Sequence, residues 1–216
     1  MIELSCVRND LTSVDGIKIN SIVENSTSSI IVHFYFDAKV LVNGAEYLLD
    51  HSIQMEIPEN YPHELPITSE FGEKKVKNFP HINPDVKGTF CLGTEMDIRR
   101  MLKPDYSLEE YIQLIAEFLG TYKYYNEYGV FPFGDRGHGT VGIIEAYKDI
   151  FSVSTKQQIL NLMMIDKLKN AYRNKKCPCN SGIKFKNCHW KTMSIIFRNP
   201  LEYSQMKKDY KQINGG

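Results

Sequence analysis

The segment HINPDVKGTFCLG, residues 81–93, holds side chains whose types and spacing suit nucleophilic catalysis. His81 and Asn83 lie near its start, and Cys91 follows His81 by ten residues. A cysteine attacks carbonyl carbon as its thiolate, and neighbouring polar groups assist that attack. Two interpretations are open at this point, because Cys91 is either a nucleophile with helpers or an ordinary buried thiol.

Three further cysteines and an imidazole lie in CPCNSGIKFKNCHW, residues 177–190. Three thiolates and one imidazole match the four ligands of a closed tetrahedral zinc site, which leaves no position for substrate. Gly182 lies between the two pairs and can turn the chain back. The alternative interpretation is that these four residues are unconnected core or surface residues that form no common site. The segment is too small for a hydrophobic core, so the zinc would be structural and would supply its folding energy. The predicted ligands are Cys177, Cys179, Cys188 and His189.

The charge of the chain is unevenly distributed. The 216 residues have a formal net charge of zero, but residues 167–191 contain eight Lys or Arg and no acidic residue. This asymmetry predicts a separate C-terminal module, whereas the neutral whole makes nucleic acid an unexpected partner. The start, MIELSCVRND, has no signal-peptide pattern, and no apolar run is long enough for a membrane span. A cytoplasmic protein with reduced thiols is therefore expected.

The N-terminal half predicts β-strands. Residues 17–57 contain SIIVHFYFDAKVLV and EYLLDHSIQMEIP, which predict one strand each, with the turn signal Asn43-Gly44 between them. LPITSEF predicts a further short strand, and together these indicate an antiparallel meander. Cys6, in the apolar run IELSCV, is predicted to be a packed thiol.

Helices are predicted after residue 106. Ser107 and Glu110 have the spacing of a capping box at the start of LEEYIQLIAEFLGTYKYY. Further helices are predicted over residues 141–151 and 155–174, and a short one over 199–213. The first helix has one apolar face, formed by Leu108, Tyr111, Ile112, Ile115, Phe118 and Leu119.

Four pieces in order, YPHELP, HIN, GTFCL and KPDYSLEEYI, resemble the ubiquitin-conjugating (UBC) family over roughly residues 15–125. The resemblance implies an α+β, UBC-like fold, in which an antiparallel β-meander packs on helices. It also implies that Cys91 carries an acyl group as a thioester. Asn83 would then stabilise the oxyanion or organise the loop, and His81 would brace that loop.

The chain departs from the family pattern at three places. Ile82 replaces the family's proline, and Gly93 replaces its acidic residue after the cysteine. The sequence after residue 125 is more similar to bacterial relatives, in which a His-Gly pair follows the core. His138, in DRGHGTVG, is the corresponding candidate for activating the incoming nucleophile. The alternative is a histidine that braces a loop or caps the next helix.

The zinc-ligand segment resembles the SEC-C motif from Cys177 to His189. That resemblance implies zinc binding and a docking role for other proteins or ribosomes. The local positive charge suits an acidic partner or RNA, or else it is a solvated basic face.

The predicted organisation is a UBC-like domain over 1–150, a connecting helix over 151–175, and a SEC-C zinc module with tail over 176–216. The predicted function is acyl transfer through Cys91 to an amine. The resemblance to stand-alone relatives beside anti-phage (CBASS-type) operons implies that the donor is a ubiquitin-like protein or the C-terminus of a cyclic-nucleotide synthase (CD-NTase). Any activating enzyme would be a separate chain.

Two alternatives concern the whole protein and its end. The UBC-like domain is an inactive adaptor that docks partners through the zinc module, or it is the enzyme described above. The terminal Gly215-Gly216 is either a frayed end or a tail that is itself conjugated.

Overall fold

The computed structural model describes residues 3–26, 28–102 and 107–215. The strands are β1 (Ile17–Glu24), β2 (Ile30–Phe36), β3 (Ala38–Val42), β4 (Ala45–Leu49), β5 (Ser52–Ile57) and β6 (Ile67–Glu70). The helices are α1 (Leu4–Thr12), α2 (Glu95–Met101), α3 (Leu108–Tyr128), α4 (Gly139–Phe151), α5 (Lys156–Met163), α6 (Trp190–Arg198) and α7 (Pro200–Gly215). The architecture is therefore α+β with antiparallel sheets.

The chain forms two compact units. The first comprises residues 1–92 and 102–135, and the second comprises residues 93–101 and 136–216. The domain boundaries predicted after residues 150 and 175 stay predictions, as does the UBC-like fold. Within the described part of the chain, no helix combines the length and apolar character that a membrane span requires.

The first unit is built on a four-stranded antiparallel sheet in the order β1-β2-β5-β6. Side chains of β2 and β5 alternate between buried and half-buried, which is the pattern of strands with one face on a core. The apolar face of α3 also contributes to the core of this unit, and all six residues predicted for this face are buried. Ser107 accepts a hydrogen bond from the Glu110 backbone, so the predicted N-cap is confirmed.

Each of the two long predicted strands is divided in two. The first breaks at Asp37, whose backbone N–H donates to the Gly16 carbonyl at 2.9 Å and whose carboxylate pairs with Lys18. The second breaks at Asp50, which binds Lys75 and Lys123. These ion pairs hold an acidic residue outside each ladder. The segments between the breaks form a separate hairpin, β3–β4, around the predicted Asn43-Gly44 turn.

Two predictions about smaller features were wrong. Cys6 is exposed, because α1 turns Val7 and Leu11 toward the interior instead. The helix predicted over residues 155–174 ends at Met163. Lys207 donates to the Met163 carbonyl at 2.6 Å and to the Ile165 carbonyl at 3.0 Å. The lysine thus provides hydrogen-bond donors for carbonyls at the C-terminal end of the helix, where no further turn follows.

The second unit has a helical core that includes the cysteine segment. Phe151, Phe185 and Met193 are buried together with Cys177 and Cys179 in one hydrophobic cluster. Tyr147 and Asp209 add a buried hydrogen bond of 2.9 Å between α4 and α7. The predicted helix over 199–213 is confirmed as α7.

Candidate functional site

Cys91 ends a short hairpin that begins at His81. Its backbone N–H donates to the His81 carbonyl at 2.8 Å, and the Asn83 N–H donates to the Thr89 carbonyl at 2.8 Å. Ile82 and Phe90 form an antiparallel bridge between these two contacts. The ten-residue spacing from His81 to Cys91 therefore spans one hairpin, and it brings the histidine beside the cysteine.

Asp85 organises the turn of this hairpin. Its carboxylate accepts hydrogen bonds from the Lys87 N–H at 2.9 Å and from the Thr89 N–H at 3.3 Å, and also from the Thr89 hydroxyl. The hydroxyl contact with Thr89 is the main reason why the pKa of Asp85 lies below its ordinary value. Gly88 adopts φ +62°, a conformation that glycine accepts without strain.

Phe90 anchors the hairpin to the first unit. Its backbone N–H donates to the Thr68 carbonyl in β6 at 2.8 Å, and its ring stacks on Phe118 of α3 at 4.5 Å. The backbone next to Cys91 is thus held by both the sheet and the helix. Cys91 itself is only partly buried.

Asp135 and Phe131 hold the side chain of His81. The Nε2 atom lies 2.9 Å from Asp135 Oδ1, and the ring packs edge-on against Phe131 at 5.1 Å. One ring nitrogen of His81 lies within 4.8 Å of the Cys91 Sγ. The Asp135 carboxylate therefore contacts an imidazole that lies near the thiol, and an imidazole close to a cysteine can activate it as a nucleophile.

The Asn83 side chain is engaged inside the hairpin. Its Nδ2 donates to the Thr89 Oγ1 at 3.1 Å. An amide nitrogen carries two N–H donors, so this contact uses one of them. The N–H that donates to Thr89 therefore helps to hold the hairpin loop in place.

His138 occupies the N-cap position of α4, and its side chain makes no capping hydrogen bond. His138 therefore begins the helix by its position in the chain, without a capping hydrogen bond from its ring. The turn before α4 is held by the Gly137 N–H, which donates to the Glu145 carboxylate at 2.8 Å.

The four predicted zinc ligands converge in the second unit. Their ligand atoms all lie within 4.8 Å of one another. His189 Nδ1 is 3.3 Å from the Cys177 Sγ and 3.1 Å from the Cys188 Sγ, and the Sγ atoms of Cys179 and Cys188 are 3.6 Å apart. A tetrahedral zinc ion separates its ligand atoms by about 3.3–3.8 Å, so the cluster is compatible with such a metal.

Surrounding groups orient these ligands. His189 Nε2 lies 2.6 Å from the Phe151 carbonyl, which leaves Nδ1 facing the thiols. A hydrogen bond on the distal ring nitrogen is the usual support of a metal-bound histidine. Burial raises the pKa of Cys177 to about 12 in the absence of a cation, so a bound metal would have to displace that proton.

Three residues that shape the Cys91 site were missed by the sequence analysis. Asp85, Thr89 and Asp135 are polar residues in irregular segments, where no periodic pattern marks them. Asp135 does lie three residues before the candidate His138, in DRGHGTVG, and this proximity could have marked it as a candidate. Residues 103–106, the KPDY part of the KPDYSLEEYI piece used in the UBC resemblance, lie outside the residues that the structure describes, as does Gly216.

Comparison with known proteins supports the C-terminal module. Residues 173–191 match the family model of the SEC-C motif, and this match includes all four clustered ligands. No curated protein and no solved structure matches the chain. The chain therefore carries a SEC-C motif at its C-terminal side.

Proposed function

We propose that this chain is a ubiquitin-conjugating-like cysteine acyltransferase that carries the C-terminus of a donor protein as a thioester on Cys91. The observation that carries the proposal is the hairpin over residues 81–91. It fixes the backbone of Cys91, leaves the residue partly exposed, and holds the His81 ring within 4.8 Å of the thiol.

The proposed reaction has two acyl transfers. The Cys91 thiolate attacks the carbonyl of an incoming thioester, the old carbon–sulfur bond breaks, and the previous carrier leaves as a thiolate. An amine then attacks the new thioester, an amide bond forms, and Cys91 is released as a thiol after the amine has lost a proton. Exchange between thioesters nearly conserves energy, so this step needs no ATP site.

Asn83 has two roles in this proposal. One N–H of its amide holds Thr89, which stabilises the hairpin. The second N–H is the candidate donor to the oxyanion of each tetrahedral intermediate, an interaction worth about 3–4 kcal/mol in other enzymes. His81 braces the loop through Asp135, and His138 remains the predicted activator of the amine.

The proposed donor is a ubiquitin-like protein or the C-terminus of a CD-NTase in CBASS-type anti-phage defence, and the acceptor is an amine. A separate activating enzyme would supply the first thioester where one is used. Zinc is the proposed metal of the SEC-C module, held by Cys177, Cys179, Cys188 and His189. It would stabilise the fold of that module.

A covalent trap tests the acyl transfer. Cys91→Ser and Cys91→Lys would be expressed in the native host with neighbouring genes present, and the intact mass of each purified variant measured. We expect an added chain, linked as an ester to Ser and as an amide to Lys, whose mass identifies the donor. Cys6→Ser is the control, because it removes the exposed cysteine and leaves Cys91 intact.

The competing proposal is an adaptor that binds partners without chemistry and docks through the SEC-C module. The SEC-C match favours docking of this kind. Cys91→Ala separates the two, because an adaptor keeps its biological effect without the thiol and an enzyme loses it. No adduct in either trap, together with no hydroxylamine-sensitive species on the wild type, would favour the adaptor.

A further inference from the structure

A basic cavity of about 570 Å³ lies in the second unit, beside the cysteine cluster. The chain between α5 and the first zinc ligands forms one wall, and Pro178 and Phe185 contribute an apolar part of the lining. Pockets of about 300–1,000 Å³ bind small molecules in other proteins, so this volume is sufficient for a single ligand.

Four lysines line the cavity, namely Lys167, Lys169, Lys175 and Lys176. None of them forms an ion pair within the described residues, whereas the lining carboxylate, Asp166, is paired with Lys207 at 2.7 Å. The cavity lining therefore has four lysines and a single acid, and that acid forms its ion pair with a lysine outside the lining. Such a concentration of charge favours an anionic ligand.

Tyr172 provides an aromatic surface among these lysines. The Nζ of Lys175 lies 5.2 Å from the ring centroid and the Nζ of Lys169 lies 6.0 Å from it. The ring is half-buried, so part of it is accessible from the cavity. A planar ring beside several cations is the combination that proteins use to stack a base and hold its phosphate.

We propose that this cavity binds a nucleoside phosphate, with the base against Tyr172 and the phosphate among the lysines. The shared chemistry allows two sources, a free nucleotide or a nucleotide within single-stranded RNA. A chain of carboxylates in an acidic protein would also meet the charge, but it would not use an aromatic ring set inside a cavity. This binding is independent of Cys91 and of acyl transfer.

The cysteine segment builds one wall of the cavity. The Phe185 N–H donates to the Lys175 carbonyl at 2.8 Å, and Lys176 pairs with Lys184 in an antiparallel bridge. The backbone of the segment between Cys179 and Cys188 thus fixes two of the lysines. Four of the eight basic residues in 167–191 therefore line the cavity. Lys184 and Lys186 are exposed and lie outside its lining.

Fluorescence polarisation on the metal-loaded, full-length protein tests this proposal. The probes are fluorescent AMP, a fluorescent eight-nucleotide RNA and fluorescent polyglutamate, each titrated at several salt concentrations. We expect saturable, salt-sensitive binding of AMP, RNA or both. Binding of both probes identifies a site open to either source, and binding of RNA alone identifies the strand as the source.

Variants separate the cavity from general charge. Lys169→Glu/Lys175→Glu should weaken nucleotide binding about tenfold or more, and Tyr172→Ala should weaken it about fivefold or more. The matched control, Lys184→Glu/Lys186→Glu, makes the same change of charge outside the cavity and should change affinity less than twofold. Circular dichroism and metal content would verify that each variant is folded.

Three results would overturn the proposal. The first is no saturable binding of AMP or RNA by the folded wild type. The second is equal loss of binding in the cavity pair and the control pair. The third is polyglutamate binding as tight as RNA binding and unaffected by Tyr172→Ala, which would identify an acidic protein surface as the partner.

Discussion

The side chains around Cys91 do their work through contacts in irregular segments. His81 is held by Asp135 at 2.9 Å, and its side chain retains only 15% exposure. The family resemblance predicted that His81 braces the loop. The neighbouring carboxylate and the nearby thiol also suit the ring for a second function, which is activation of the Cys91 thiol. The rate at which Cys91 is alkylated measures this activation, and the acyl donor need not be known for the measurement.

We expect Asp135→Ala to slow the alkylation of Cys91 by iodoacetamide at pH 7 by about threefold or more. The variant removes the acceptor that orients the imidazole beside the thiol. Mass spectrometry of peptides would measure the rate at Cys91, and exposed Cys6 in the same chain is an internal control. Asp135→Asn keeps an acceptor oxygen and should retain most of the rate. Equal rates in all three proteins would contradict a positioning role for Asp135.

At the scale of elements, the helices of the second unit are joined by buried polar contacts. Tyr147 on α4 donates to Asp209 on α7, and Gln205 donates to the other carboxylate oxygen at 2.9 Å. Burial raises the pKa of Asp209 above its ordinary 3.8, although these two hydrogen bonds act in the opposite direction. The folded state therefore holds this proton more tightly than the unfolded chain does.

This difference predicts a pH dependence of stability. The stabilisation from protonated Asp209 is complete below the unfolded pKa of 3.8 and is lost as the pH rises through the higher folded pKa. We expect Asp209→Asn, which cannot ionise, to lose less unfolding free energy than the wild type as the pH rises from 4. Urea denaturation at several pH values would measure this slope. Exposed Asp10→Asn is the control, and parallel curves for wild type and Asp209→Asn would refute the prediction.

On the scale of the whole molecule, the metal-ligand cluster belongs to the core of only one unit. Cys177, Cys179 and Phe185 are buried with residues of α4 and α6, and His189 contacts the last carbonyl of α4. A bound structural metal would therefore stabilise the second unit as a whole. The four-stranded sheet of the first unit has its own apolar core.

We expect removal of bound metal by a chelator to speed amide hydrogen exchange over residues 177–198 and at the end of α4. Exchange in β2 and β5 should stay unchanged. Cys188→Ser should reproduce the pattern without chelator, whereas Cys6→Ser should not. Uniform protection with and without metal would show that the cluster does not stabilise its unit.

Features that depend on local spacing could be predicted from the order of the amino acids. The N-cap at Ser107, the Asn43-Gly44 turn, the apolar face of α3 and the four clustered metal ligands follow from short-range patterns, because neighbouring residues alone satisfy them. The ten-residue interval from His81 to Cys91 also marked a compact motif. Each of these features is present in the structure, and the SEC-C match supports the last module.

Features that depend on residues far apart in the chain became evident only in the folded protein. Asp37 and Asp50 lie between strands and form ion pairs with lysines elsewhere in the chain. Lys207 of α7 donates to the carbonyl of Met163, the last residue of α5, from 44 residues later in the chain. Asp135 reaches His81 across 54 residues, and residues 93–101 join a unit whose other members begin at residue 136. Local patterns carry no information about these partners, because the free energy that selects them arises from contacts formed only when the chain folds.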